Sequence, residues 1–425
     1  MKEIIFILLG TGQKVLRELK EKSYKTAKYQ YYDQSKKGDN NIIIETPFVG
    51  EAIVRLFPNR FSEVHIFGTK NSMWDVLYLH SILAEGSNYE ENHNSRIYDE
   101  LSLLVENETI EENPEILKEV EKSFSNFINI PTYCHLIPIG YDNESIMKIF
   151  DNIVNIELEG SKVSFDITHG LRYQPYFFLS SLFYLSSIKP DKIKLGTVFY
   201  GGLELLNLKE FNGVAPLLEF GIFTDLMKWT QAANAYEKYK DFEPLGKLLS
   251  NIEGIEKLSE ALEEFAFAYK SNYFEKIDEY ANRIVADFYD LEEKFPPLLK
   301  TIFPYLLNFP NEIRNTKSRF DKLLVIAKHQ KEAQHYSDSL ISLWEAIVQN
   351  YSDRENMSLE EAQKNIVGYL KKDEKSHKNK VFLKLHDLRN TVAHLDYKNE
   401  SSSGYNKGEY LKLINNVLNQ LEKDN

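Results

Sequence analysis

The chain has 425 residues, 43% hydrophobic and 27% charged, with 51 Lys and Arg against 64 Asp and Glu and one cysteine, Cys134. That length holds two or three domains with full cores, and the ordinary charged and aromatic content excludes wholesale disorder. A lone thiol excludes a disulfide framework or a cysteine-built zinc site and favours a reducing compartment. A net charge of −13 excludes a salt-driven coat on long nucleic acid, so no stable DNA complex is expected, yet a local nucleic-acid site is still allowed.

Ile4–Leu9 is a short apolar run beside Glu3 with no small-residue cleavage site after it, so it reads as a strand rather than a signal peptide. Further strands are expected at Asn41–Glu45, Glu63–Phe67, Tyr133–Ile139, Lys162–Ile167 and Lys194–Tyr200. Helical patterns lie between them at Pro47–Leu56, Met73–Leu83, Asn143–Val154 and Gln174–Ser187. Apolar strands alternating with helices imply a mostly parallel sheet covered on both faces. Tyr89–Lys122 is acidic and reads as a surface helical excursion with a solvated face. Tyr176–Ile188 is broken by serines and too short to cross a membrane, so no membrane association and a cytoplasmic location are expected. Gly201-Gly202 is a turn signal that would join Thr197–Tyr200 to Leu203–Asn207 as a closing hairpin.

From Gly221 the texture becomes helical. Leu226, Trp229, Ala233 and Tyr236 mark one helix face. Further helices fit Glu253–Tyr269, Tyr273–Phe295, Asn315–His329, Gln334–Asn350, Ser358–Leu370, Lys380–His394 and Gly408–Lys423. The fold class expected is an α/β Rossmann-like domain over 1–220, with a mostly parallel sheet and a C-terminal hairpin, followed by an all-α domain over 221–425.

Three loops in the first half carry chemistry after predicted strands, where ligands bind in such sheets. Gly10-Thr11-Gly12-Gln13 can present backbone N–H groups to an anion or serve as a plain strand-to-helix turn; Val15 replaces the third glycine of a dinucleotide fingerprint, and no Walker A pair follows. Thr69-Lys70-Asn71-Ser72, between Gly68 and Trp74, offers polar donors and a cation; helix capping accounts for Asn71 or Ser72 but not for Lys70 or Trp74. Asp166, Thr168, His169, Gly170 and Arg172 form the densest group. Asp166 either serves the site or braces its own turn, while His169 and Arg172 suit a phosphate or a base.

In the second half, Arg389, Asn390 and His394 fit metal-free RNA cleavage, with imidazole as acid or base, guanidinium on the phosphorane and Asn390 orienting either. The alternative is an ordinary surface Arg and His. Five residues separate Arg389 from His394, about 140° around a helix. They converge only if the helix ends or bends near Asn390 or if two copies meet. Histidine spacings give no helical metal pair, so no metal is expected. Lys371, Lys372, Lys375, Lys378 and Lys380 precede this helix as a phosphate guide or a solvated run.

Gly-Thr-Gly, Gly-Thr-Lys-Asn-Ser and Asp-Ile-Thr-His-Gly-Leu-Arg, followed by a helical half ending in Arg-Asn-x-x-x-His, resemble the type III CRISPR-associated CARF–HEPN ribonucleases over nearly the whole chain. The resemblance implies a homodimer whose CARF halves bind a cyclic oligoadenylate across the two-fold axis. Gly10, Thr11, Gly12, Thr69, Lys70, Asn71, Thr168, His169, Gly170 and Arg172 would line that pocket. It implies that paired HEPN halves bring Arg389, Asn390 and His394 to single-stranded RNA, leaving 2′,3′-cyclic phosphate ends without a metal or cofactor. A sensor that also degrades its activator through His169, Thr168 or Lys70, and a non-catalytic nucleotide-sensing regulator, are the competing readings.

Overall fold

Side chains alternate across a strand, so a strand apolar at every position must be covered on both faces. β1 (Lys2–Leu8) is such a strand from Ile4 onward: Ile5 and Ile7 enter one core, and Ile4, Phe6 and Leu8 enter another. The computed structural model describes residues 1–11, 26–32, 42–84, 92–295, 297–394 and 407–423, without the side chains of 84, 92, 393 and 394. The chain divides into two units, Met1–Met227 and Lys228–Asn425.

The first unit is built on one eight-stranded sheet. Beside β1 it contains β2 (Ala27–Tyr31), β3 (Ile43–Thr46), β4 (Glu63–Gly68), β5 (Thr132–Leu136), β6 (Ser161–Asp166), β7 (Ile193–Gly201) and β8 (Ala215–Phe220), in the order β3-β2-β8-β7-β6-β1-β4-β5. Only β2/β3 and β7/β8 pair antiparallel. Helices α1 (Val49–Leu56), α2 (Trp74–Ala84), α3 (Asn92–Glu106) and α4 (Leu117–Ile128) pack on the Ile5 face; α5 (Asn143–Val154) and α6 (Tyr173–Ile188) pack on the Phe6 face.

Three expectations need correction. The return strand is β8, not Leu203–Asn207, of which Leu203–Leu205 form one 3-10 turn. Neither Gly201 nor Gly202 has the positive φ of a tight hairpin turn. Gly201 is required instead by packing, since a Cβ there would lie 2.8 Å from Val49. β2 was not expected, because its sequence AKYQY is largely polar at the sheet margin. The acidic excursion is also more than a solvated face: Leu101, Val105, Val120 and Phe124 from α3 and α4 are buried in the Ile5 core.

The described part of the second unit is helical: α7 (Gly221–Tyr239, which begins in the first unit), α8 (Glu243–Leu249), α9 (Glu256–Lys270), α10 (Phe274–Leu291), α11 (Pro297–Leu306), α12 (Asn308–Asn315), α13 (Arg319–Glu332), α14 (Tyr336–Glu355), α15 (Leu359–Lys372), α16 (His377–His394) and α17 (Lys407–Lys423). Its apolar residues gather into two cores, one running from Trp229 to Ile326 and one from Phe320 to Leu421. α8, α11 and α12 are short and carry Pro244, Pro304 and Pro310, which broke the periodic signal. On α7, Trp229 and Tyr236 are buried as expected, but Leu226 is exposed and Ala232 rather than Ala233 faces the core.

Candidate functional site

β1 is where the strand order reverses, with β4 on one side and β6 on the other, and the crevice beyond such strand ends is the natural ligand site. The loops after β1 and β4 are fastened to one another. Ser72 Oγ donates to the Leu9 carbonyl (2.8 Å) and accepts from the Thr69 amide (2.9 Å), while the Met73 amide donates to the Gly10 carbonyl (3.0 Å). Trp74 is wholly buried and donates through Nε1 to the Thr69 carbonyl (3.0 Å), so it holds the loop from below.

The third loop is braced by its own acid. Asp166 accepts from the Thr168 amide (3.0 Å) and hydroxyl, and Thr168 Oγ1 accepts from the Gly201 amide on β7 (2.8 Å). Burial pushes the Asp166 carboxyl up to about 6. Gly170 has φ +92°, and a Cβ there would lie 2.9 Å from Gln174 Oε1, which accepts from the Leu171 amide (2.9 Å).

These loops open on a cavity of about 930 Å³, near the upper end for a small-molecule site. Of the residues singled out from sequence, Gly10, Thr11, Thr69, Ser72, Thr168, His169 and Gly170 line it. Gly10 faces the imidazole of His169, whose ring is 3.4 Å from where a Gly10 Cβ would stand. Burial lowers the His169 pKa and favours a neutral ring. Two buried wall atoms, His169 Nε2 and Gln174 Nε2, lack a partner among the described residues. Such atoms gain most from a polar ligand.

Other singled-out residues stand apart. Asp166 is fully buried and braces the turn without lining the cavity. Lys70 pairs with Glu108 (3.4 Å) and Asn71 donates to the same carboxylate (3.0 Å), off the cavity wall. Arg172 is exposed at the start of α6. Gly12 and Gln13 lie outside the described residues.

The sequence reading missed the far wall, which comes from β2, β3 and the segment before β8. Lys28 stands opposite Glu45 across the β2/β3 pair, and Thr26 donates to Glu45 (2.8 Å). Thr46, also on the wall, donates to buried Glu51, which pairs with His80 (2.6 Å) and Arg55 (2.9 Å). Burial opposes ionisation of Glu51, but these hydrogen bonds hold its pKa below the usual value. An acid inside the apolar run Phe48–Val54 was the available signal.

In the helical unit, Arg389 and Asn390 lie on α16, which continues as one helix through Asn390 to His394. The side chain of His394 lies outside the described residues. Arg389 Nη1 donates to Asn390 Oδ1 (3.0 Å), and Asn390 Nδ2 lies 2.9 Å from His386 Nε2. The His386 ring rests against Trp344 at 4.7 Å. His386 was not singled out from sequence; its i, i+4 spacing to Asn390 was the available signal. Arg389 Nε is buried without a partner among the described residues. Burial raises the Glu345 pKa, opposed by the charge of Arg389. Among the described residues, no group of three or more His, Cys, Asp or Glu is placed to hold a metal ion, and no helix is long and apolar enough to cross a membrane.

Residues 5–202 match the CARF domain of the CRISPR system endoribonuclease Csx1, and residues 225–318 match the second domain of the CRISPR-associated protein MJ1674. The second match covers most of the first helical core. No curated protein matches the chain by sequence. Among solved structures, Enterococcus italicus Csm6 bound to cyclic hexa-2′-fluoro-hexa-dAMP aligns over 100% of this chain and 93% of that one, at 12% identity and a TM-score of 0.36.

Proposed function

From the match of residues 5–202 to a CRISPR-associated CARF domain, we propose that the chain is an endoribonuclease switched on by a cyclic oligoadenylate. The observation that carries this reading is the cavity at the ends of β1, β4 and β6, where backbone, hydroxyl, imidazole and amide groups converge. Among the described residues, Lys28 is the lining cation and Glu45 and Glu204 are lining acids. His169 and Gln174 offer buried polar atoms to a nucleotide.

Cleavage is assigned to Arg389, Asn390 and His394 in the second helical core. Because α16 runs on through Asn390 to His394, ideal helix geometry puts Arg389 and His394 about 140° apart around it. A second copy then supplies the opposing residues, and the working unit is a homodimer. The first unit presents an apolar face suited to pairing: α6 is apolar around its whole circumference, yet Tyr176, Tyr184 and Ile188 are exposed, next to exposed Met147 and Val154 on α5. At the scissile phosphate, an imidazole takes the 2′-hydroxyl proton, a guanidinium neutralises the phosphorane, and the 2′ oxygen displaces the 5′ oxygen, which leaves as a hydroxyl with a proton given by an imidazolium; a 2′,3′-cyclic phosphate remains.

The test is cleavage of a fluorescent single-stranded RNA with cyclic tri-, tetra- or hexa-adenylate, with and without EDTA. One ring size should raise the rate by orders of magnitude, EDTA should not reduce it, and Arg389→Ala and His394→Ala should abolish it. Tight nucleotide binding with no cleavage under any activator would leave a non-catalytic sensor. Loss of the added cyclic nucleotide would reveal activator degradation.

A further inference from the structure

A second cavity, of about 260 Å³, lies in the helical unit between α14, α15 and α16. Its wall combines features that suit an unstacked base. Tyr351 and Tyr369 approach within 4.8 Å, and the Arg354 guanidinium stands 5.7 Å and 4.9 Å from their ring centres. Phe382 and Lys378 close the cavity from α16, with the Lys378 ammonium 5.6 Å from the Phe382 ring. Lys372 and Asp373 also line the cavity, and the exposed Lys371, Lys375 and Lys380 stand near them in the chain, together with one more acid, Glu374.

The geometry links this cavity to Arg389. Lys378 and Phe382 precede Arg389 on α16 by eleven and seven residues, so all three lie within about 20° of one line along the helix. At 1.5 Å per residue they stand about 16 Å and 10 Å from it. Stacking on aromatic and guanidinium planes is tolerant of base identity, and a lysine run tracks the phosphates.

We propose that the cleft holding Arg354, Tyr351 and Tyr369 takes one unpaired nucleobase of the single-stranded RNA substrate, with the Lys371–Lys380 run guiding the flanking phosphates toward Arg389. This rests on the reading of the helical unit as RNA-cleaving and adds a substrate subsite to it. A folded duplex offers no free base to this cleft, so the site favours single strands.

The test measures binding of a fluorescent single-stranded RNA to the full-length protein by anisotropy, with an abasic nucleotide moved along the RNA, in parallel with activator-dependent cleavage of the same RNAs. One abasic position should weaken binding about tenfold, and Arg354→Gln or Tyr369→Ser should weaken binding of intact RNA equally. Those variants should then ignore the abasic position, and their loss should appear in KM. Arg354→Lys, which retains charge without the planar stack, should fall between. Thermal melting identifies any variant that fails to fold, and the abasic scan of the wild-type protein needs none. A flat abasic profile, or variants that bind like wild type, would overturn the subsite. Cleavage with a flat profile sinks the subsite alone, and an abasic-sensitive position without cleavage under any activator sinks the nuclease reading alone.

Discussion

Asp166 accepts both the amide and the hydroxyl of Thr168, tying the end of β6 to the loop that reaches the ligand cavity. Because the carboxyl is fully buried, it titrates near 6 in the folded chain, against about 3.9 when unfolded. Between those values the native state keeps a proton that the unfolded chain releases. The contribution is therefore full below about pH 4 and is lost as pH rises to about 6. The drop for this group is roughly 2 to 3 kcal/mol. Asp166→Asn keeps the accepting oxygen and removes the charge, so the stability decline from pH 4 to 7 should flatten. Denaturant titrations of both proteins across that range measure this, and an unchanged decline would assign it to other groups.

Gly68 gives a steric prediction. A Cβ there would stand 2.4 Å from Trp74 Cζ2 and 2.9 Å from Ser72 Cβ. The indole is enclosed and cannot move aside without breaking its bond to Thr69. Gly68→Ala should cost about 1 to 3 kcal/mol and alter tryptophan fluorescence. At Gly10 the nearest atoms to an added Cβ, those of the His169 ring, are 3.4 Å away, so Gly10→Ala should spare stability and weaken activator binding. Equal melting temperatures for wild type and Gly68→Ala would refute the steric argument.

Much of this arrangement was legible in the sequence because apolar runs and the residues just after them carry local signals. Thr69, Ser72, Thr168 and His169 follow β4 and β6 directly, and the alternation of strands and helices placed those strand ends together. Lys70 carried a chemical signal for the site but turns to Glu108, a partner 38 residues away that no local pattern reveals. Trp74 looked like a ligand group and is a core residue. The far wall was hidden for the same reason: the Lys28–Glu45 pairing is set by strand register, and Gln174 looks like any helix-start residue until Gly170 turns the loop over it. On α16 the motif was visible, while the Arg389–Asn390–His386 contacts required the helix itself.

The exposed apolar face of α5 and α6 leads to a prediction about assembly. Tyr184 is 54% exposed and Ile188 is 54% exposed on a helix with no polar face. Burying the exposed half of such side chains against a second copy is worth about 1 kcal/mol each. A Tyr184→Glu, Ile188→Glu double variant should shift the protein to a monomer in sedimentation velocity runs and lose activator-dependent cleavage. Neither position lines the cavity, so a monomer that still cleaves at the wild-type rate would exclude pairing as the route to the nuclease site.

Whether Arg389 and His394 act within one chain or between two can be decided by mixing. On the proposed reading, an Arg389→Ala homodimer would have no catalytic guanidinium, and a His394→Ala homodimer would have no catalytic imidazole. A mixed dimer retains one of each, on opposite copies. A continuous α16 holds the two residues of one chain about 140° apart, so a trans pairing is expected and co-refolded mixtures should cleave activated RNA well above either variant alone. Rescue should grow with the fraction of mixed dimer and stay below the wild-type rate, because each mixed dimer has one Arg and one His in place of two. If the site works in cis, every chain in the mixture lacks one member of the pair and the activity of the mixture stays at the level of the separate variants.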